Sequence, residues 1–126
     1  MNIPRPTDAE LAVLRALWQE GPSTVRQIHA VLSKEKDLGY TSVLKCLQVM
    51  TDKGLVTRDQ SERSHVYAPA QTEYQTQRSL VNDLLARAFG GSAMKLVMHA
   101  LSARPASQQE VEQIRELLNH AKENTQ

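Results

Sequence analysis

Apolar residues recur at helical spacing through most of the chain, and that period is interrupted in one stretch, after Gly54. Thr7-Asp8-Ala9-Glu10 reads as a capping box that opens a first helix. Leu11, Leu14, Ala16, Leu17 and Trp18 supply its apolar stripe, and Gly21-Pro22 stops it. A second helix starts near Thr24 and carries Val25, Ile28, Val31 and Leu32; a charged loop then runs to Gly39. The third helix, about 41–53, has two usable faces. Val43, Cys46, Leu47 and Met50 fall on one side, and Thr41, Lys45, Gln48 and Asp52 on the other. Beyond Gly54 the residues 55–59 and 66–69 read as short strands, joined by the polar stretch 60–65, which is the right length for a hairpin loop. Three short helices and a basic-tipped hairpin predict a winged helix-turn-helix over residues 1–70.

Residues 71–126 return to the helical period. A polar linker with a second capping box, Thr72 to Gln75, leads into a long helix, about 73–89, with Leu80, Leu84, Leu85 and Ala88 on one face. Gly90-Gly91 ends it. Ser92 opens a helix with Ala93, Leu96, Val97, Ala100 and Leu101, which Arg104-Pro105 breaks. Ser107 to Glu110 opens a last helix with Val111, Ile114, Leu117 and Leu118. The expected class is therefore mainly α: a winged helix-turn-helix with a short β-hairpin wing, then a three-helix region. So few residues bury too little apolar surface to stand alone. Either these helices pack back on the first domain, or a second copy covers them and makes a two-fold homodimer. On the dimer reading, Leu80, Leu84, Leu85, Leu96, Val97, Leu101, Ile114, Leu117 and Leu118 form the interface.

Composition narrows this little. The 126 residues, 40% hydrophobic and 23% charged, suit one domain or two very small ones. With one Trp, one Phe and three Tyr, the core must be aliphatic. A lone Cys gives no intrachain disulfide and no zinc cluster. No apolar run is long enough for membrane insertion and no secretory leader is evident, so the expected location is cytoplasmic. Net charge is +1. Residues 1–70 hold nine Lys/Arg against eight Asp/Glu, so any DNA-binding charge must be placed locally.

The candidate chemistry follows from that local placement. Thr41, Lys45 and Gln48 offer a hydroxyl, a cation and an amide, groups that read base edges when a helix lies in the major groove. The same pattern also fits an ordinary amphipathic surface helix. Arg58, Arg63 and His65 sit on or near the hairpin, as a solvated loop or as a wing on the phosphate backbone or in the minor groove. The four His have no ligand partners at metal spacing, and no nucleophile–base grouping or phosphate loop is present, so neither a metal, a cofactor nor a catalytic site is expected. Cys46 reads as a small buried hydrophobe; redox sensing would need an exposed, acidic thiol.

Taken in order, several of these pieces resemble the penicillinase repressor family of the BlaI/MecI/CopY type. They are Thr7-x-x-Glu10 with Leu14-x-x-Leu17-Trp18, Gly21-Pro22-Ser23-Thr24, Thr41-Ser42-Val43, Lys53-Gly54-Leu55-Val56, Tyr67-Ala68-Pro69 and Phe89-Gly90-Gly91-Ser92. The resemblance implies a non-enzymatic transcriptional repressor that binds a palindromic operator in double-stranded DNA as a homodimer, through its C-terminal helices. It places Thr41, Ser42, Lys45 and Gln48 at the DNA. In the β-lactam branch a membrane sensor protease system triggers cleavage of an Asn-Phe bond. The equivalent place here is His99-Ala100, which lacks the aromatic. The copper branch uses a Cys-rich tail, which has no counterpart here. Two rival readings are a winged-helix protein–protein adaptor and a small-molecule-responsive regulator of the same fold.

Overall fold

The computed structural model describes residues 3–124. The chain divides into two compact units, Met1–Asn82 and Asp83–Gln126. The first unit holds α1 (Asp8–Glu20), β1 (Ser23–Thr24), α2 (Val25–Leu32), α3 (Tyr40–Lys53), β2 (Val56–Asp59), β3 (Val66–Pro69) and the first ten residues of α4 (Glu73–Ala88). The second holds the rest of α4, with α5 (Ala93–Ala103) and α6 (Gln108–Asn124).

Local chemistry sets the helix ends of the first unit. The Thr7 hydroxyl accepts from the Glu10 amide at 3.2 Å, and the Glu10 carboxylate accepts from the Thr7 amide at 2.9 Å, closing a reciprocal cap on α1. Thr24 and Gln27 do the same for α2. Gly54 ends α3 at φ 82°, a left-handed conformation that costs a residue without a Cβ least.

The core is a single cluster in which Val13, Leu14 and Leu17 of α1 meet Val25 and Ile28 of α2, Val43, Leu47 and Met50 of α3, then Leu55, Val56 and Tyr67. Full burial of each such side chain contributes about 1.5–3 kcal/mol. The inward set of α3 is the apolar stripe expected from spacing, with Cys46 half-buried at its margin.

The wing has one more strand than the hairpin that the sequence pattern predicts. The sheet order is β1-β3-β2, antiparallel throughout. β1 pairs Ser23 with Tyr67 and Thr24 with Val66, so β3 is the central strand and the hairpin is tied to the start of α2. Trp18 packs against the core and donates its indole N–H to the Gln71 carbonyl. Thr76 of α4 is buried.

In the second unit, Gly90 and Gly91 both take positive φ (56° and 83°), and Ser92 caps α5 through the Lys95 amide at 3.2 Å. The Phe89 and His99 rings lie 5.8 Å apart. Neither α5 nor α6 buries a single residue. Met94 is 80% exposed, Leu117 67% and Leu118 64%. Leu84, Val97 and Leu101 are exposed as well, and Leu85, Leu96 and Ile114 are half-buried, as is Leu80 of the first unit.

Candidate nucleic-acid interface

Burying Val43, Leu47 and Met50 turns the opposite side of α3 to solvent. Thr41, Ser42, Lys45, Gln48 and Asp52 are all exposed there, with Tyr40 and Val49 beside them. Among the described residues, Lys45, Gln48 and Arg63 make no side-chain bond within the chain, so their donors remain available to a partner. Val49, 44% exposed, adds an apolar group of the kind that meets a thymine methyl.

The approach to α3 is held by His29. Its Nε2 lies 2.7 Å from the Leu38 carbonyl, which can only accept, so Nε2 carries the proton. The same ring meets Tyr40 edge-on, with centroids 5.9 Å apart. The imidazole thus braces the first turn of α3. Among the described residues no group of His, Cys, Asp and Glu is placed to hold a metal ion.

The wing tip adds cations. Arg63 and His65 line a polar cleft of about 530 Å³ together with Thr24, Arg26, Tyr40 and Ser64. Arg58 lies apart from that cleft, opposite Tyr67 on the paired strand. Its guanidinium meets the Gln60 amide oxygen at 2.9 and 2.6 Å once that amide is turned to suit. Asp59 accepts from the Ser61 amide at 2.9 Å, and that bond, with a further contribution from the Ser61 side chain, holds its carboxyl below the usual range. The fold therefore brings Arg63 and His65 to the N-terminal ends of α2 and α3. Lys45 and Gln48 lie further along the exposed face of α3, outside the cleft.

Arg26 and Tyr40 are absent from the residues singled out by sequence. For Arg26 a signal existed. A cation in the first turn of a helix opposes the helix dipole, at a cost of about 0.3–1 kcal/mol, so its placement there calls for another use. Tyr40 had none, because only the fold brings it beside the wing.

Cys46 carries no chemistry of its own. Burial, seconded by the Glu10 charge, pushes its thiol above the ordinary range against the pull of Lys53, and Sγ donates to the Met50 sulfur at 3.8 Å. A thiol so placed is poorly nucleophilic.

A helix with a polar, donor-rich outer face beside a three-stranded wing carrying exposed Arg defines a winged helix-turn-helix protein. The penicillinase repressor family model matches residues 6–120, and the chain belongs to that family, one of transcriptional repressors and not of enzymes. It is 38% identical over 100 residues to the transcriptional regulator BlaI of Mycobacterium tuberculosis, covering 78% of this chain and 72% of that one. It is 23% identical over 121 residues to the penicillinase repressor of Bacillus licheniformis, covering 96% and 94%. Among solved structures, the DNA-binding domain of the repressor BlaI superposes with TM-score 0.51 at 26% identity, over 57% of this chain and 88% of that one. Monomeric Bacillus licheniformis BlaI in complex with the blaP half-operator matches with the same TM-score, identity and coverage.

Proposed function

We propose that this protein is a cytoplasmic transcriptional repressor that binds a palindromic operator in double-stranded DNA as a homodimer, needs no cofactor, and acts by occupying the site that polymerase requires. The observation that carries the reading is the juxtaposition, in one unit, of the exposed Thr41–Gln48 face of α3 with the cleft bearing Arg26, Arg63 and His65. α3 supplies the groups for the major groove, Thr41, Ser42, Lys45 and Gln48. The wing and the start of α2 supply cations for the backbone on either side, with Arg58 further along the hairpin. That the Bacillus licheniformis relative binds a half-operator supports the DNA-binding part of the reading.

The dimer part of the reading rests on apolar surface. Apolar residues left exposed on a short helical unit mark an association site, and two-fold DNA readers present their recognition helices one helical turn apart. Selection of duplexes from a random pool by the full chain tests both parts. The expected winners contain an inverted repeat with half-sites spaced by about 10 base pairs or a multiple. Winners with a single half-site would reject the dimer, and no enrichment would reject the DNA reading.

Relief of repression through His99-Ala100 would meet an obstacle, since this bond lies in the middle of α5. Cleavage there by a sensor-triggered protease requires local unwinding of the helix, and the expected result of limited proteolysis is slow cutting that speeds up when α5 is destabilised.

A further inference from the structure

Glu10 and Lys53 stand 43 positions apart in sequence, yet the Lys53 ammonium donates to both Glu10 carboxylate oxygens, at 2.7 and 3.0 Å. The carboxylate side chain is 6% exposed and the lysine 36%. One of those oxygens also accepts from the Thr7 amide, so a single buried group closes the cap of α1 and grips the last residue of α3. Lys53 begins the corner that joins α3 to the wing. Gly54 follows in the left-handed region, Leu55 is buried with its amide on the Met50 carbonyl at 2.9 Å, and β2 starts at Val56. The Ala70 amide closes the other side of the corner on the Leu55 carbonyl at 2.9 Å.

We propose that the Glu10–Lys53 pair sets the angle between the DNA-reading helix and the wing, and that Lys53 is a positioning residue and not a phosphate contact. Two physical points carry this. First, an ion pair whose carboxylate is buried and whose lysine is partly solvated returns little net stability; the best-attested use of such a pair is in fixing one geometry among several. Second, the lysine's charge is already neutralised by a bidentate, charge-assisted pair, which a phosphate could replace only by leaving the Glu10 carboxylate buried and alone. α1, which carries no residue of the interface, thereby becomes the frame on which α3 and the wing are held. The inference rests on the DNA-binding reading above.

The test uses the full chain and a duplex that the wild-type protein itself enriches from a random pool. Failure of the wild type to enrich any duplex would refute the DNA reading itself, a result separate from the comparison among variants. Glu10→Gln keeps the volume and the capping bond but removes the charge, and Lys53→Gln removes the partner. The two single variants and the double are compared for affinity over a series of salt concentrations, with helix content and melting followed by circular dichroism. The expected result is a loss of similar size in all three, on the order of tenfold, with no further loss in the double and an unchanged slope of log affinity against log salt. A fall in that slope of about 0.9 per subunit for Lys53→Gln would make the lysine a phosphate contact and overturn the proposal. So would lower melting temperatures with affinity intact, which would leave the pair a role in stability alone. So would tighter binding by Glu10→Gln. If Glu10→Gln does not fold, the salt slope of Lys53→Gln decides alone.

Discussion

The indole nitrogen of Trp18 donates to the backbone carbonyl of Gln71 at 3.2 Å, across 53 positions of sequence. The bond ties the end of α1 to the segment that enters α4, just before Thr72 and Gln75 cap that helix reciprocally at 2.9 and 3.0 Å. Trp18→Phe keeps an aromatic ring in place but removes the donor together with the smaller ring of the indole. It should cost about 1 kcal/mol and speed amide exchange over residues 70–78. Thermal melts combined with hydrogen exchange read both effects, and unchanged exchange there would deny the bond its tethering role.

The position of that tether also decides where the chain can be cut. Thr76 is buried in the first unit, so ending the chain near Pro69 would strip the winged helix of packing that belongs to it. A chain ending at Asn82 should instead fold, sediment as a monomer and bind an inverted-repeat duplex far more weakly than the full protein, because the second half-site loses its high effective concentration. Light scattering at micromolar concentration and an affinity measurement check this. A monomeric full-length chain would refute the dimer.

Acid should expose the Glu10–Lys53 pair. Burial raises the Glu10 carboxyl from its ordinary 4.5, but the bonds from Lys53 and Thr7 outweigh it and the net shift is downward. A carboxyl with a lowered folded-state pKa contributes stability above its ordinary value and loses it as pH falls through the folded one. Glu10→Gln should therefore cost about 1–2 kcal/mol near neutral pH, less than a fully buried pair because Lys53 is partly solvated. The gap to wild type should close below pH 4.5. Asp59 titrates in the same region in both proteins, so the difference isolates Glu10. Urea midpoints over a pH series give the answer; a gap constant with pH would remove the ion pair as its cause.

How far these features could be read from sequence depends on their range. The Thr7–Glu10 cap, the stop at Gly54 and the Val43-Leu47-Met50 stripe are set by neighbours within one or two helical turns, and spacing shows them. β1 did not show, because a strand of two residues has no period; it exists only through its pairing with Tyr67 and Val66. Glu10 was legible in its capping role and silent about Lys53, since no local rule connects residues 43 apart. The wing was legible as a polar hairpin, but the cleft that its tip shares with Arg26 and Tyr40 required the fold.

The wing cleft makes a prediction about charge. If Arg26 and Arg63 both face the phosphate backbone, replacing either with Ala should weaken binding to a selected duplex and to a random one by similar factors, since phosphate contacts carry no sequence information. In a dimer each replacement removes two contacts and should flatten the salt slope by about 1.8. A loss confined to the selected duplex would make the residue a reader of bases or groove shape. An adaptor that never binds DNA would show no salt-dependent binding to either.

The two faces of α3 should fail in different ways. Leu47 is fully buried, so Leu47→Ala removes core volume and should cost about 2–5 kcal/mol of stability, with DNA binding lost only as the fold is lost. Lys45 and Gln48 are exposed, so Ala at either should leave the unfolding free energy within about 0.5 kcal/mol of wild type. Each should instead cost on the order of 1–3 kcal/mol of binding and relax the preference at one position of the selected site. The two measurements, a melt and a repeated selection with each variant, separate packing from reading. An unchanged selection profile for both Lys45→Ala and Gln48→Ala would mean that the exposed side of α3 does not lie against bases. In that case the interface would have to be sought in the wing and α2 alone.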